Sequence, residues 1–259
     1  MARTGRKSST RWTPPPELVA PARQLWESLS QGKDRGFRPE RALYADLEGK
    51  RGITFYVPAG KVAYPNDAPM SGGYGHLRRP QPKADMSLES LKRLLSKLGN
   101  GVRDAKFLVV FSGSTKKRRR PKEVVTMKEI FGPAIWKPFT AINLHLAVRS
   151  SPLLKRLIKE RHPMWRVKRD GSLNSSPSLC LEALERTFGL ERPRALRSAS
   201  YEDDAGMRGE MKPLAVFDEI IAGRRPAKER DLLAYCRWDV WSMYQIALRA
   251  RRCAEIVKR

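Results

Sequence analysis

Two acidic residues stand two positions apart in the segment ALYADLEG, which covers residues 42 to 49. Successive side chains of a β-strand point to opposite faces, so a strand here places Asp46 and Glu48 on one face with their Cα atoms roughly 7 Å apart. Two ionised acids inside an otherwise apolar strand repel each other and lose hydration unless a cation joins them. A divalent metal satisfies both, and the pair is therefore a predicted metal site. The alternative is an edge strand whose acidic face is solvated.

A second pair, Tyr235 and Asp239, lies in the segment LLAYCRWDVWSMYQI. If residues 231 to 250 are helical, four apolar residues at helical spacing form the stripe that faces the core: Cys236, Val240, Met243 and Ala247. Tyr235 and Asp239 are then one turn apart, stacked on the flank of that stripe. Both side chains could point at a common target beside the core, such as the end of the strand that carries Asp46. The alternative is a solvated Asp239 on a surface helix, with Tyr235 half-buried.

The rest of the chain supplies the elements that must position these residues. Apolar periodicity, caps and turn residues predict two strands within residues 41–60, a loop over 64–85, a helix over 86–101, a strand over 106–113, a helix over 121–132, a strand over 139–148, a helix over 176–190 and a long helix over 229–257. Strands followed by alternating helices and strands indicate an α/β domain with a mixed central sheet.

The first part of the chain differs in composition from the rest. Residues 1 to 39 are basic, rich in Ser and Pro and weakly periodic, with one short segment of helical pattern, PELVAPARQLWESL. Such a composition predicts a flexible basic arm rather than a packed layer. We therefore expect a tethered arm over residues 1–39 and a domain over residues 40–259.

The order and spacing of the two acidic segments resemble a known family. DLE at residues 46–48 and YCRWD at residues 235–239 match the first and third motifs of the DEDD 3′–5′ exonucleases, in the tyrosine-bearing branch. The last third of the chain is similar to an RNase H-like family of predicted ribonucleases, through SLCLEALERTFGLERP, EDDAGMRGE and LLAYCRWDVWSMYQI. The resemblance covers roughly residues 41 to 259, with a poorly matching middle.

The resemblance implies an RNase H-like mixed central sheet flanked by helices, and a two-metal enzyme that hydrolyses phosphodiester bonds of DNA or RNA from the 3′ end. Asp46, Glu48 and Asp239 would hold two Mg²⁺ or Mn²⁺ ions, which prefer hard oxygen ligands. Such ions clamp the attacking and leaving oxygens of an in-line displacement. Tyr235 would orient or deprotonate the attacking water.

One part of the family pattern is missing. The family has a second-motif aspartate in the first turn of the helix after the third strand, yet no aspartate occurs from Ala105 to Arg169. Glu123 is the best-placed substitute as a metal ligand, because it follows Pro121 at the start of a predicted helix, and Glu129 is the second choice. If neither serves, we expect a catalytically degraded RNase H-like module that binds nucleic acid or acts as a ribonucleoprotein scaffold.

The charge of the chain predicts a polyanionic partner. Lys and Arg number 52 against 27 acids, a formal net charge of +25. This charge favours nucleic acid as the partner, and the resemblance implies a single-stranded one. The window from Ala105 to Arg169 holds 17 Lys and Arg against three Glu. Its centre is a predicted nucleic-acid-binding segment: Lys116, Lys117, Arg118, Arg119, Arg120 and Lys122. The alternative for this segment is a solvated loop or a nuclear address. Trp136 and Trp165 are potential stacking platforms for bases, although a core position is expected for both.

Other features of the sequence exclude whole classes. The three cysteines are far apart and odd in number, which argues against a disulfide framework and for a reducing compartment. No apolar run approaches the roughly 20 residues that span a bilayer, and the first residues lack the apolar core of a secretory signal. We therefore expect a protein of the cytoplasm or nucleoid or, in a eukaryote, of the nucleus, which is not secreted and does not bind a membrane. The histidine and cysteine spacings do not predict structural zinc.

Overall fold

The structure is a computed structural model, which describes residues 12–31, 36–48, 51–58, 73–78, 87–112, 121–162, 165–166, 168, 171–172, 179–202, 206–224 and 226–257. Its α-helices are α1 Pro16–Ser30, α2 Leu88–Lys97, α3 Asn100–Arg103, α4 Lys122–Phe131, α5 Leu144–Arg149, α6 Pro152–Arg161, α7 Leu181–Thr187, α8 Pro213–Ile221 and α9 Glu229–Ile256. Its strands are β1 Ala42–Glu48, β2 Gly52–Val57, β3 Gly73–Arg78, β4 Phe107–Val110, β5 Thr140–Asn143, β6 Trp165–Arg166 and β7 Tyr201–Glu202. Short 3-10 turns cover Pro39–Arg41, Ala134–Trp136 and Arg194–Leu196.

Five strands form one sheet in the order β3-β2-β1-β4-β5. β2 is antiparallel to β1 and to β3, whereas β4 is parallel to β1 and to β5. β6 and β7 form a separate antiparallel pair. A mixed central sheet flanked by helices is the RNase H-like α/β architecture, and the predicted fold class is confirmed.

The alternation of side chains along β1 divides the core into two layers. Ala42 and Tyr44 belong to the layer beneath α1, α5, α6, α7 and α9, whereas Leu43 and Ala45 belong to the layer beneath α2 and α4. Both layers are apolar, as expected for a sheet that is covered on both faces. Because Asp46 and Glu48 continue the Tyr44 side of the strand, the α9 layer is the one that receives them.

Several predicted elements are confirmed with their caps. The side chain of Ser87 accepts a hydrogen bond from the Ser90 N–H at 3.1 Å and begins α2, on which Leu91 and Leu95 are buried. The hairpin of β1 and β2, the buried β4, the helices α4 and α7 and the long α9 lie where the sequence predicts them. The core stripe predicted for α9, from Cys236 to Ala247, is buried.

Two predicted elements are wrong in part. Within residues 64–85, expected to be a loop, Gly73–Arg78 forms β3 and pairs with β2; the remaining residues of that loop lie outside those described. Residues 139–148, expected to be one strand, change to helix at Leu144. The Asn143 side chain accepts a hydrogen bond from the Leu146 N–H at 3.3 Å. This N-cap interaction explains the change, since an Asn in that position starts helices.

The prediction of a flexible arm over residues 1–39 is wrong for residues 16–30. They form α1, whose Leu18, Ala22, Leu25 and Leu29 are buried against the core that α9 helps to build. The spacing of these residues by three and four gives the helix one apolar face, which outweighs the polar and Pro-rich composition of the segment. Residues 1–11 lie outside the described residues.

A substitution in α1 distinguishes a packed helix from an arm. Leu25→Ala should lower the free energy of unfolding by about 2 to 5 kcal/mol, because a fully buried leucine leaves a cavity. Urea denaturation followed by circular dichroism measures this change. Arg23→Ala is the control on the exposed side of the same helix and should change the stability by less than about 1 kcal/mol. Equal effects of the two substitutions would contradict the packing of α1.

Candidate metal centre

The first acidic pair lies at the end of β1, on the face that turns towards α9. In the hairpin register Asp46 stands opposite Thr54 and Glu48 opposite Gly52. Both acids are half-buried, whereas Tyr44, on the same face, is fully buried. The strand alternation predicted from the sequence is confirmed, and β1 is paired on both edges, so the edge-strand alternative does not hold.

The packing of α9 on the sheet positions the second pair. Tyr244 of α9 makes ring contacts with Tyr44 of β1 and Tyr56 of β2, with centroids 5.7 and 5.6 Å apart. Asp239 lies about one and a half turns earlier on the helix and is buried, with 5 % of its surface exposed. The aromatic contacts therefore fix the height at which Asp239 and Tyr235 meet the end of β1.

Three carboxylates converge at this point. Asp46, Glu48 and Asp239 each offer one oxygen, and these oxygens all lie within 4.8 Å of one another. The expectation that the strand and the last helix bring their acids together is confirmed. Residues that are far apart in the chain thus form a group that could hold a metal ion.

The ionised forms of the three acids are costly, because burial removes water from their negative charges. Burial raises the pKa of Asp46 well above its ordinary value, and the neighbouring Asp239, Glu48 and Glu123 raise it further. Burial and Asp239 raise the pKa of Glu48 to about 8. The pKa of Asp239 is raised to about 6 by burial, although Arg192 and a hydrogen bond from Tyr235 act in the opposite direction. A cation in this group would remove most of that cost.

The donor set fits a hard divalent cation. Oδ2 of Asp46 is buried and has no hydrogen-bond partner within the described part of the chain, which leaves one oxygen of the group without a donor. Carboxylate oxygens are the ligands of Mg²⁺ and Mn²⁺, and a soft metal would need sulfur or imidazole. The three acids are therefore a group whose chemistry fits a metal ion.

A buried arginine, Arg192, completes the group on the side of α7. Its guanidinium donates to both oxygens of Glu185, at 2.6 and 2.9 Å, and to Oδ1 of Asp239. The same group lies 5.2 Å from the centre of the Tyr235 ring and 3.7 Å from Oε1 of Glu182. Arg192 is 3 % exposed, and a guanidinium stays charged in such a position. Arg192 therefore ties α7 and the loop that follows it to α9 through Asp239.

Three buried residues of the site, Glu182, Glu185 and Arg192, were not predicted from the sequence, although one signal was present. On α7, Glu185 falls four residues after Leu181 and three before Phe188, within the predicted apolar face. An acid in that position needs a buried cation, because an unpaired charge in the core is too costly. The pattern does not say which of the many arginines supplies it.

A cavity of about 380 Å³ opens beside the acids. Asp46, Glu48, Asp239, Tyr235 and Glu182 line it. Apolar side chains of Phe111, just after β4, and of Leu181 on α7 also line it. It is large enough for hydrated ions and part of a substrate.

The candidate substitutes for the missing aspartate lie differently. Glu123 stands in the first turn of α4 and acts on the pKa of Asp46. Burial raises its own pKa to about 7. Its carboxylate is not one of the three that converge within 4.8 Å, and it does not line the cavity. Glu129 is exposed on the same helix.

The predicted nucleic-acid contacts are only partly within the structure. Lys122 is exposed at the first residue of α4, whereas Lys116, Lys117, Arg118, Arg119 and Arg120 lie outside the described residues. Trp136 is buried and stacks with Phe55, so the expected core position is confirmed and Trp136 is not a stacking platform for nucleic acid. The side chain of Trp165, on β6, lies outside the described part of the chain.

Comparison with known proteins finds no relative of this chain: no protein-family model, no curated protein and no solved structure matches it. Among the described residues, no helix has both the length and the apolar character needed to span a bilayer. The arrangement of the acidic side chains at the end of β1 and on α9 is therefore the main basis for proposing a function.

The raised pKa of Glu48 makes the stability of the metal-free protein depend on pH. Between about pH 4.5 and about pH 8 the folded state keeps a proton that the unfolded chain releases, so the stability falls as the pH rises through this window. Glu48→Gln removes this loss. At about pH 8 in EDTA its free energy of unfolding should exceed that of the parent by one to a few kcal/mol, since one pKa unit is about 1.4 kcal/mol.

Urea denaturation at about pH 5 and about pH 8 measures this difference. The gain should shrink at the lower pH, and added Mn²⁺ should stabilise the parent more than the variant. Glu89→Gln, an exposed acid on α2, is the matched control and should show no such gain. A variant no more stable than the parent at about pH 8 would contradict the mutual repulsion of the three acids.

Proposed function

We propose that this protein hydrolyses phosphodiester bonds of a nucleic acid with divalent metal ions, as a 3′–5′ exonuclease of the tyrosine-bearing DEDD type. The observation that carries the proposal is the convergence of Asp46, Glu48 and Asp239 within 4.8 Å. Tyr235 lines the same cavity one helical turn from Asp239. An RNase H-like sheet that ends in such a group is the arrangement expected of this class of enzyme.

The metal ions would be held by Asp46, Glu48 and Asp239, and when bound they supply a water of lowered pKa and stabilise the attacking and leaving oxygens. Burial raises the pKa of Tyr235 well above its ordinary value, so the phenol stays protonated. Its hydroxyl donates to Asp239 and keeps its oxygen free to accept a hydrogen bond. Tyr235 would therefore orient the attacking water rather than remove its proton.

The charge distribution supports a nucleic acid as the substrate. The chain carries +25 overall, yet several acids line one cavity, and Asp239 and Glu182 among them are buried. Arg149 is exposed one turn after His145, which lines that cavity, and Lys122 is exposed at the first residue of α4. A polyanion attracted by the basic surface would need bound cations to bring a phosphate to the acids.

A second candidate function is a nucleic-acid-binding module or ribonucleoprotein scaffold with a degraded site. The position of Glu123 favours it, because the best-placed substitute for the second-motif aspartate lies outside the converging group. A site that lacks a fourth acid would hold metal more weakly and misplace the substrate. The two functions differ in whether the protein cleaves the strands that it binds.

Cleavage of end-labelled single strands of RNA and DNA distinguishes the two functions. The parent should remove nucleotides from the 3′ end with Mn²⁺, and less well with Mg²⁺, which tolerates imperfect geometry poorly. EDTA and Asp46→Asn should abolish the activity, whereas Tyr235→Phe should slow it by about a hundredfold or more while metal binding persists.

Glu89→Gln, purified in parallel, controls for contaminating nucleases and should cleave like the parent. Activity that survives in Asp46→Asn would have to come from outside the group of three acids. A parent that binds strands tightly but cleaves none of them with either metal would support the binding module instead.

Binding should depend on salt in proportion to the phosphates contacted. Replacing Arg118, Arg119 and Arg120 by Ala should flatten the plot of log affinity against log salt by about 0.7 for each lost phosphate contact. Fluorescence anisotropy with a labelled single strand measures the slope. The matched control replaces Lys92, Arg93 and Lys97, which are exposed on α2, by Ala. An equal change in both variants would place the nucleic acid away from the basic segment.

A further inference from the structure

Glu182 is a buried acid that the triad of strand and helix residues does not include. It lies in the first turn of α7, is 6 % exposed and lines the cavity together with Asp46, Glu48 and Asp239. Its Oε1 accepts a hydrogen bond from the Ser198 N–H at 2.6 Å, which fixes the carboxylate in place. The loop after α7 therefore orients this acid at the wall of the cavity.

The other oxygen of Glu182, Oε2, is buried and makes no hydrogen bond with any residue that the structure describes. The same holds for Oδ2 of Asp46, which lines the same cavity. An ionised carboxylate that is nine-tenths buried needs a donor or a cation at each oxygen, because leaving one bare costs the desolvation of that group. Two such oxygens around one cavity point to a missing cation.

Arg192 does not fill this need. Its Nε and Nη2 donate to Glu185, and Nη2 also donates to Asp239. The remaining Nη1 lies 3.7 Å from Oε1 of Glu182, which is too long for a hydrogen bond, and 3.4 Å from the carbonyl oxygen of Leu196. The single positive charge of Arg192 is thus shared among Glu185, Asp239 and the more distant Oε1 of Glu182, and it does not supply a hydrogen-bond donor to Oε2 of Glu182.

We propose that Glu182 is a ligand of a divalent cation at this site. It would supply, from α7, the fourth carboxylate that the family pattern expects after β4 and that is absent as an aspartate from residues 105–169. The proposal rests on the metal-binding part of the proposed function. Oε2 of Glu123 is likewise buried without a hydrogen-bond partner among the described residues, and neither glutamate belongs to the group that converges within 4.8 Å. Glu182 lines the cavity whereas Glu123 does not, and this difference favours Glu182 over the substitute that the sequence pattern predicts.

Mn²⁺ binding without substrate tests the assignment. Free Mn²⁺ is measured by electron paramagnetic resonance during titration of the parent, Glu182→Gln, Glu123→Gln and Asp46→Asn. The parent should bind Mn²⁺, Asp46→Asn should lose most of the binding, and Glu182→Gln, which keeps the acceptor for Ser198, should bind about tenfold more weakly or worse. Glu191→Gln, an exposed acid next to Arg192, is the matched control and should bind like the parent.

Glu182→Asp is the second variant, in case the glutamine variant does not fold. It keeps the charge but withdraws it by one methylene, so a ligand predicts an intermediate affinity and a purely structural acid predicts the parent value. Parent-like affinity of Glu182→Gln, or of Glu182→Asp where only that variant folds, would overturn the proposal while the triad and the proposed nuclease stand. Failure of the parent itself to bind Mn²⁺ would overturn both.

Discussion

The site depends on one buried positive charge. Glu185 is fully buried, Asp239 and Glu182 nearly so, and the guanidinium of Arg192 is the group that donates to the first two of them. In other proteins the removal of one partner from such a group costs about 3 to 5 kcal/mol, because the remaining charges stay buried and unpaired. The interaction also ties α7 to α9, so the position of Asp239 depends on a residue from a third element. A lysine would not be equivalent, since the planar fork of arginine donates to both oxygens of Glu185 and also reaches Asp239.

The sheet fixes the other half of the site. β1 lies between an antiparallel and a parallel neighbour, and its pairing with β2 and β4 leaves Asp46 and Glu48 at the strand end on the α9 face. Tyr44 and Tyr56 then meet Tyr244, which helps to set the helix on the sheet by aromatic contacts. The acids are therefore held from two directions, by the strand pairing of β1 and by the packing of α9.

The sequence predicted those features that rest on local pattern. The alternation around Asp46 and the helical spacing of Tyr235 and Asp239 placed each pair on one face of its element, and the resemblance to the exonuclease motifs implied that the three acids meet. The packing of α1 was missed, since its four buried apolar residues are diluted by Pro, Ser and charged neighbours. The switch from β5 to α5 was missed because a single side-chain cap at Asn143 decides it. Arg192 could not be predicted, because pairing between Glu185 and a distant loop leaves no periodic trace.

The order of the elements along the chain has a consequence for synthesis. Asp46 and Glu48 lie on the first strand of the sheet, whereas Asp239 lies on α9, which follows every other described element. α1 packs on the same long helix, although it precedes the whole sheet. On the ribosome, therefore, the early helix and strand must wait for α9 with an apolar face and two acids uncovered. The nascent chain cannot assemble the cation site until translation has passed the last functional residue.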